Sequence, residues 1–330
     1  MEPNRLLRHL RHLLPALCLA ATVCTAAEPP PPAVREWTAM GTRIRLSVRG
    51  EDAEAAADAM AEAARAALEA VEEETSAFRA ESAVSRLADA AGSGGWTATA
   101  PAFDEALDTA LAVAEATDGA FNPLVGPLME KYGFPRRPDG VVAESSGDIP
   151  PELLDWRSIE RKDGACRLPI AGMRLDLGGV AKGVGADRAA AAIRAVAAND
   201  FLLDAGGTLV CRGAWTIGLR DPRGGAEAPP LKAFTLADGM ACATSGNYER
   251  PGHLMDPRTG RAADGNGVLQ ATALARTAAE ADAWSTALFV LAPDAGRAAL
   301  AASGAAVAAA WVLPAEDGGV EIRHFPSPPR

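Results

Sequence analysis

The chain has 330 residues, is 48% hydrophobic but only 5% aromatic, and carries a formal net charge of −11. That length allows one large core or two intimate ones, and the apolar share, much of it alanine, excludes a disordered chain and suits helices packed closely on sheets. An acidic surface repels nucleic acid, which excludes it as a partner, and any pyrophosphate ligand must be held locally by backbone N–H groups, a metal ion or a placed lysine.

The first 27 residues read as a secretory signal peptide. Arg5, Arg8 and Arg11 precede the apolar run LLPALCLAATVC, too short to span a bilayer comfortably, and Thr25-Ala26-Ala27 offers small residues for a cut before Glu28. A lipoprotein cut before Cys24 is disfavoured by bulky Val23, and no twin arginine marks export in the folded state. Loss of the leader leaves about −13 on the mature chain and a periplasmic location is expected. It also leaves Cys166, Cys211 and Cys242, which can form at most one disulfide and, lacking a Cys-x-x-Cys pair, read as small core residues.

Residues 28–33 form a proline-rich tether, and 34–330 a single catalytic domain. Alternation about Met40-Gly41-Thr42 predicts a strand or hairpin over Glu36–Val48, with Ile44, Leu46 and Val48 on one face. A helix is predicted over Asp52–Glu74, with Ala56, Met60, Ala63, Ala67 and Val71 at helical spacing, and a second from Pro101 to Ala116, stopped by Asp118-Gly119. Arg136–Pro151 reads as a surface loop, and short strands are predicted near Trp156–Arg161 and Cys166–Pro169. Ala181–Ala197 is strongly helical, followed by strands near Phe201–Leu203, Leu209–Cys211, Trp215–Leu219, Leu231–Leu236 and Ala241–Thr244. A strand near Val268–Ala275 leads to helices over Ala278–Leu291 and Asp294–Ala302, and strands near Ala306–Val312 and Val320–Arg323 close the chain. The expected class is α+β: a two-lobed single catalytic unit with mixed or antiparallel sheets flanked by helices.

Four constellations could carry chemistry. From Arg174 a short strand is expected to run into Gly178-Gly179 and a helix start, where backbone N–H groups can approach phosphate and Lys182 adds a charge; tight helix–strand packing is the alternative. Asp282 and Thr286, four apart, share a helix face and offer a carboxylate and a hydroxyl to a hard cation such as Mg²⁺, or else the aspartate caps the helix and the threonine is core. Asp256-Pro257 and Thr259-Gly260 bracket a tight turn with His253 on its approach, where an imidazole could accept a hydroxyl proton or simply be hydrogen-bonded. In the loop Thr117–Leu128, Gly119, Pro123 and Pro127 fix the backbone while Phe121 and Asn122 project, as if to hold a flat heterocycle; a packed helix C-cap is the alternative.

Taken in order, these motifs resemble the FAD:protein FMN transferase (ApbE) family over nearly the whole mature chain. The carriers are Met40-Gly41-Thr42, Ser82–Leu87, DGAFNP from Asp118, DLGGVAKG from Asp176, Ala205-Gly206-Gly207, Ser245-Gly246-Asn247-Tyr248, HLMDPRTG from His253 and ADAWSTALFVL from Ala281. The resemblance implies a T-fold-like architecture and Mg²⁺-dependent transfer of FMN from FAD to a Thr or Ser hydroxyl of an acceptor protein, releasing AMP. It puts FAD contacts at Met40, Phe78, Ala120, Phe121, Asn122, Asp176, Lys182 and Met255, and metal ligands at the Gly179 carbonyl, Asp282 and Thr286. His253 and Asp256 fall in the reactive turn, with His253 or metal-bound Asp282 as the base. The implied acceptors are redox-pump subunits or flavin-carrying electron-transfer domains, with a place peripheral to the inner membrane. Phe78 stands where many relatives have tyrosine, and Thr208 where an acid or amide is common. A Mg²⁺-dependent FAD pyrophosphatase would use the same residues, and a non-catalytic periplasmic flavin carrier would need none of Asp282, Thr286 and His253.

Overall fold

The computed structural model describes residues 30–134, 148–225, 228–248 and 252–326. The predicted signal peptide with its cleavage site, the start of the tether and most of the predicted 136–151 loop lie outside these residues. All the elements belong to one compact unit, Pro32–Arg330.

Strands β1 (Ala33–Ala39) and β2 (Thr42–Arg49) form the predicted hairpin. Its two-residue turn, Met40-Gly41, places both residues at positive φ, 50° and 69°, as a primed turn requires. Helix α1 (Ala53–Thr75) follows, with a buried stripe of Ala57, Met60, Ala61, Ala64, Leu68 and Val71. The predicted Ala56, Ala63 and Ala67 flank that stripe half-buried, because alanines occur on every face and blur its phase. Helix α2 (Ala83–Ala90), capped by the Ser82 hydroxyl accepting from Ser85 N–H at 3.0 Å, was not expected. β3 (Thr97–Ala98) leads to α3 (Pro101–Ala116), whose bounds match the prediction. Helix α4 (Gly126–Lys131) lies in what the sequence presents as loop: Pro127 sits in its first turn, where a missing N–H costs nothing.

A 3₁₀ turn at Trp156–Ser158 replaces half of one expected strand before β4 (Glu160–Lys162) and β5 (Ala165–Arg167). Arg174–Leu177 is not a strand; Asp176 N–H instead donates to Pro123 O at 2.8 Å, laying the segment along the 117–128 loop. Helix α5 (Ala181–Val196), β6 (Asp200–Ala205), β7 (Thr208–Arg212), β8 (Trp215–Leu219), β9 (Lys232–Leu236) and β10 (Ala241–Gly246) follow as expected. The short pair β11 (Met255–Asp256) and β12 (Arg261–Ala262) encloses the 257–260 turn. β13 (Gln270–Ala275) enters α6 (Ala278–Ser303), which breaks at Ala292 (φ 60°, ψ 173°) before Pro293 and so contains both predicted helical runs. β14 (Ala308–Pro314) and β15 (Val320–Phe325) close the fold.

The main sheet runs β1-β2-β6-β7-β10-β13-β14-β15, and every pairing in it is antiparallel. One face receives α6, which lies over β10 and β13 with α5, α3 and α1 packed alongside. The small side chains of Ala271, Ala273, Ala275, Ala281 and Ala283, all fully buried, join that main core and leave little between helix and sheet. The β8–β9 hairpin contributes a second apolar cluster, Trp215, Ile217 and Leu236 with Cys211 and Cys242. Cys166, Cys211 and Cys242 are buried, as expected of small core residues, and all three are free, so the one disulfide their number allowed is not formed. Among the described residues no helix is long and apolar enough to cross a membrane.

Candidate active site

The site forms where the start of α5 meets the first turns of α6. Asp176 Oδ1 accepts from Gly178 N–H at 2.8 Å, closing a side-chain turn that delivers the chain into α5. Lys182 folds back, its Nζ 3.0 Å from Gly178 O and 3.2 and 3.3 Å from the two carboxylate oxygens of Asp282. The Asp282 side chain is 5% exposed. Its Oδ2 also accepts from Gly183 N–H at 3.1 Å, and Thr208 Oγ1 stands 3.4 Å from Oδ1. Asp282 therefore does not cap its own helix, where Thr277 Oγ1 accepts from Glu280 N–H at 3.2 Å; it caps the neighbouring α5.

One turn along α6, Thr286 Oγ1 lies 3.2 Å from Ser245 Oγ, which is 2.8 Å from Ser285 Oγ. Gly179 is wedged beside them: a side chain there would come 3.0 Å from Phe121 Cε2 and 3.3 Å from Thr286 Oγ1. Gly179, Lys182, Asp282, Thr286 and Phe121 are thus brought together from three distant segments. The hydroxyls of Ser245 and Ser285 were not singled out. Ser245 belongs to a quoted motif, but its role depends on a strand-to-helix contact that spacing does not encode.

Burial pushes the Asp176 carboxyl above the usual carboxylate range, opposed by the Gly178 N–H and by the charges of Lys182 and His253. Phe121 and Asn122 do not project; they are buried at 5% and 7% exposure. Asn122 Nδ2 donates to Leu154 O at 2.7 Å and Oδ1 accepts from Leu124 N–H at 2.8 Å, so the carboxamide pins its own loop. Ala120 and Met255 are buried, and Met40 N–H donates to Glu72 Oε2 at 3.2 Å. Phe78 stands 66% exposed. Asp256 is engaged within its turn, accepting from Arg258 N–H, Nε and Nη2 at 2.9–3.0 Å.

A cleft of about 970 Å³ opens between the 117–128 loop and this turn, with Gly119, Asn122, Trp156, Arg258 and Gly260 among its walls. Asn122 lines the cleft, while the ring of its neighbour Phe121 faces Gly179 closely enough to leave no room for a side chain there.

Among the described residues no three His, Cys, Asp or Glu side chains gather into a metal cage. The donors present are one buried carboxylate, hydroxyls and backbone carbonyls, all hard oxygens. That set fits Mg²⁺, which binds through one or two carboxylates and completes its shell with water and ligand phosphates. The Lys182 ammonium against Asp282 marks the same place as one where positive charge is stable.

In fold, the molecule is an α+β enzyme of the flavin transferase class. It is similar to the flavin transferase ApbE from Vibrio cholerae, with a TM-score of 0.76 at 22% identity over 90% of this chain and 98% of that one. The Pseudomonas stutzeri flavinyl transferase ApbE gives a TM-score of 0.74 at 22% identity over 90% and 97%. The ApbE family model matches residues 40–311, and the chain belongs to the ApbE family. Curated relatives named FAD:protein FMN transferase include that of Escherichia coli K12, 29% identical over 301 residues, 83% of this chain and 82% of the relative. Another, from Klebsiella pneumoniae strain 342, is 32% identical over 275 residues, 79% and 83% of the two chains. The protein is accordingly a transferase, and the expected family and fold class stand.

Proposed function

We propose that this protein transfers the FMN moiety of FAD to a Thr or Ser hydroxyl of an acceptor protein, releasing AMP, with Mg²⁺ held by Asp282, Thr286 and the Gly179 carbonyl. The carrying observation is the buried Asp282 carboxylate set against Lys182 and the start of α5, one helical turn from Thr286. Relatives bearing the transferase name over about four-fifths of both chains support the same reaction. When bound, the cation supplies charge neutralisation of the pyrophosphate and of the departing phosphate.

The chain's own residues bind and orient. Lys182 holds phosphate oxygens, while Phe121, Met40, Ala120 and Met255 pack the flavin end and exclude water. Phe78 offers a face for stacking, and Asp176 and Asn122 fix the loops that carry these contacts. The His253 imidazole or the Asp282 carboxylate accepts the proton of the attacking hydroxyl, and Asp256 holds the shape of the His253 turn through Arg258. The acceptor oxygen forms a bond to the FMN phosphorus as the bond to the AMP phosphate oxygen breaks.

From the sequence of the leader we further place the protein in the periplasm, where a redox-pump subunit or flavin-carrying electron-transfer domain would be its acceptor. The test is to incubate the chain from Glu28 with FAD, Mg²⁺ and an acceptor domain, then read flavin fluorescence after denaturing electrophoresis. Labelled acceptor, abolished by EDTA and by Asp282→Ala, is expected. Free FMN and AMP without labelled protein would establish a pyrophosphatase instead, and intact FAD would sink both enzymatic readings.

A further inference from the structure

We infer that Asp187 is a positioning residue: it locks the start of α6 against α5 in the one register that aims Asp282 and Thr286 at the proposed cation site. The inference rests on the cation-site reading above and concerns a residue that touches neither ligand.

Asp187 lies on α5 and reaches across to the first two residues of α6. Its Oδ1 accepts from Ala278 N–H at 2.8 Å and its Oδ2 from Ala279 N–H at 3.0 Å. In the opposite direction Asp282 on α6 accepts from Gly183 N–H in the first turn of α5 at 3.1 Å. Each helix thus lends a carboxylate to the other's exposed N–H groups, where the helix dipole favours negative charge. Between the two exchanges the backbones touch: a side chain on Gly183 would lie 2.3 Å from Ala278 O. The two helices can neither slide nor rotate past each other without breaking one exchange or colliding at Gly183.

The position of the clasp makes it directive. Ala278 and Ala279 precede Asp282 by four and three residues, one helical turn, so displacement at the clasp passes almost rigidly to the carboxylate and on to Thr286. Stability of α6 alone does not require a charge here, since Thr277 already caps the helix. Keeping the carboxylate works against burial, which pushes Asp187 up to about 6. A buried carboxylate with both oxygens aimed at the turn that carries Asp282 sets geometry.

Mn²⁺, as a probe for the Mg²⁺ position, is titrated by electron paramagnetic resonance into the wild-type chain and into Asp187→Asn, Thr277→Ala and Asp282→Ala, each first checked by thermal melting. Asp187→Asn keeps one acceptor oxygen and is expected to stay folded, yet to bind Mn²⁺ about tenfold or more weakly, as removal of an outer partner of a metal ligand does. Thr277→Ala loosens the same helix end without touching the clasp; it is expected to melt lower and bind Mn²⁺ within about twofold of wild type. At saturating Mg²⁺ the Asp187→Asn enzyme is expected to recover most of its kcat, the loss falling on the metal requirement. A folded Asp187→Asn variant with wild-type Mn²⁺ affinity overturns the inference, and so does Thr277→Ala weakening Mn²⁺ as strongly as Asp187→Asn. Should Asp187→Asn not fold, Asp187→Glu, which keeps the charge on a longer arm, takes its place under the same criteria. Asp282→Ala binding Mn²⁺ as tightly as wild type would instead remove the cation site itself, a separate failure.

Discussion

Replacing Gly183 by alanine reverses the sign that helix propensity would give. In an ordinary helix interior the change is stabilising by about 1 kcal/mol. Here the new Cβ would stand 2.3 Å from Ala278 O, 2.5 Å from Ala279 Cα and 2.6 Å from Ala278 C, all backbone atoms of the facing helix. Ordinary contact between carbons is about 3.5–4.0 Å, so the helices must part by roughly 1 Å. Overpacking of this kind costs about 1–3 kcal/mol. Parting also stretches the Asp187 bonds to Ala278 and Ala279 and the Asp282 bond to Gly183, and hydrogen bonds to charged groups contribute about 1.5–3 kcal/mol when whole. Against the propensity gain we expect a net loss of about 2–4 kcal/mol, a drop of roughly 3–6 °C in melting temperature for a body of this size. Gly185→Ala is the control, because its new Cβ meets the Sδ of Met40 at 2.7 Å and Cδ2 of Leu68 at 3.0 Å, side-chain ends that can turn aside. Urea denaturation with matched slopes measures both variants. A Gly183→Ala protein as stable as wild type would refute the claim that the two helix starts are in backbone contact.

The Asp187 carboxyl rises from 3.8 to about 6, chiefly by burial, with Glu105 on α3 and Glu280 on α6 adding to the rise and the Ala278 and Ala279 N–H groups opposing it. Since the folded state holds this proton more tightly than the unfolded, the contribution is full below about pH 4 and fades as pH passes about 6, an amplitude of roughly 3 kcal/mol. Denaturant titrations from pH 4 to 7 should show a steeper fall in wild type than in Asp187→Asn, which keeps the contribution of Asp176; equal slopes would dismiss it. Burial pushes the Cys166 and Cys211 thiols up to about 11 and Cys242 to about 12, so a thiol reagent at pH 8 should leave the native chain from Glu28 unlabelled and react fully in denaturant. Native labelling at any of the three would contradict their packing. Phe78 is 66% exposed, so Phe78→Ala should alter stability by less than about 0.5 kcal/mol while raising KM for FAD; an unchanged KM removes it from the flavin contacts.

The elements legible in the sequence are those with strong punctuation. Pro101 and Asp118-Gly119 bracket α3, and the Ala292-Pro293 break separates the two runs of α6 at the predicted place. What escaped had weak or misleading signals. Helix α2 spans eight residues with a serine cap, too short for periodicity to rise above noise, and α4 hides behind two prolines that read as loop although one of them starts the helix. Leu175 and Leu177 alternate like a strand, but the segment between them is tied to Pro123 by one backbone bond and has no partner to form a ladder.

The site was legible only along single elements. The four-residue spacing of Asp282 and Thr286 could be read because both stand on one helix, and Gly178-Gly179 with Lys182 because a helix start follows them. Thr208, Ser245 and Asp187 reach the site or its support through contacts 74, 41 and 91 residues away in sequence, and the partners of Asp187 are backbone N–H groups that no side-chain pattern reveals. Their arrangement answers the problem posed by the acidic composition. Asp282 occupies the Gly183 N–H group of α5 that would otherwise greet a phosphate, and its two carboxylate oxygens engage the ammonium of Lys182. With that N–H group and that ammonium both engaged, a pyrophosphate finds little positive charge free until a divalent cation supplies it. The buried carboxylate that spoils the helix start as a bare anion site is therefore what would couple dinucleotide binding to the metal, and the exchange between Asp187 and Asp282 holds it where both can be served.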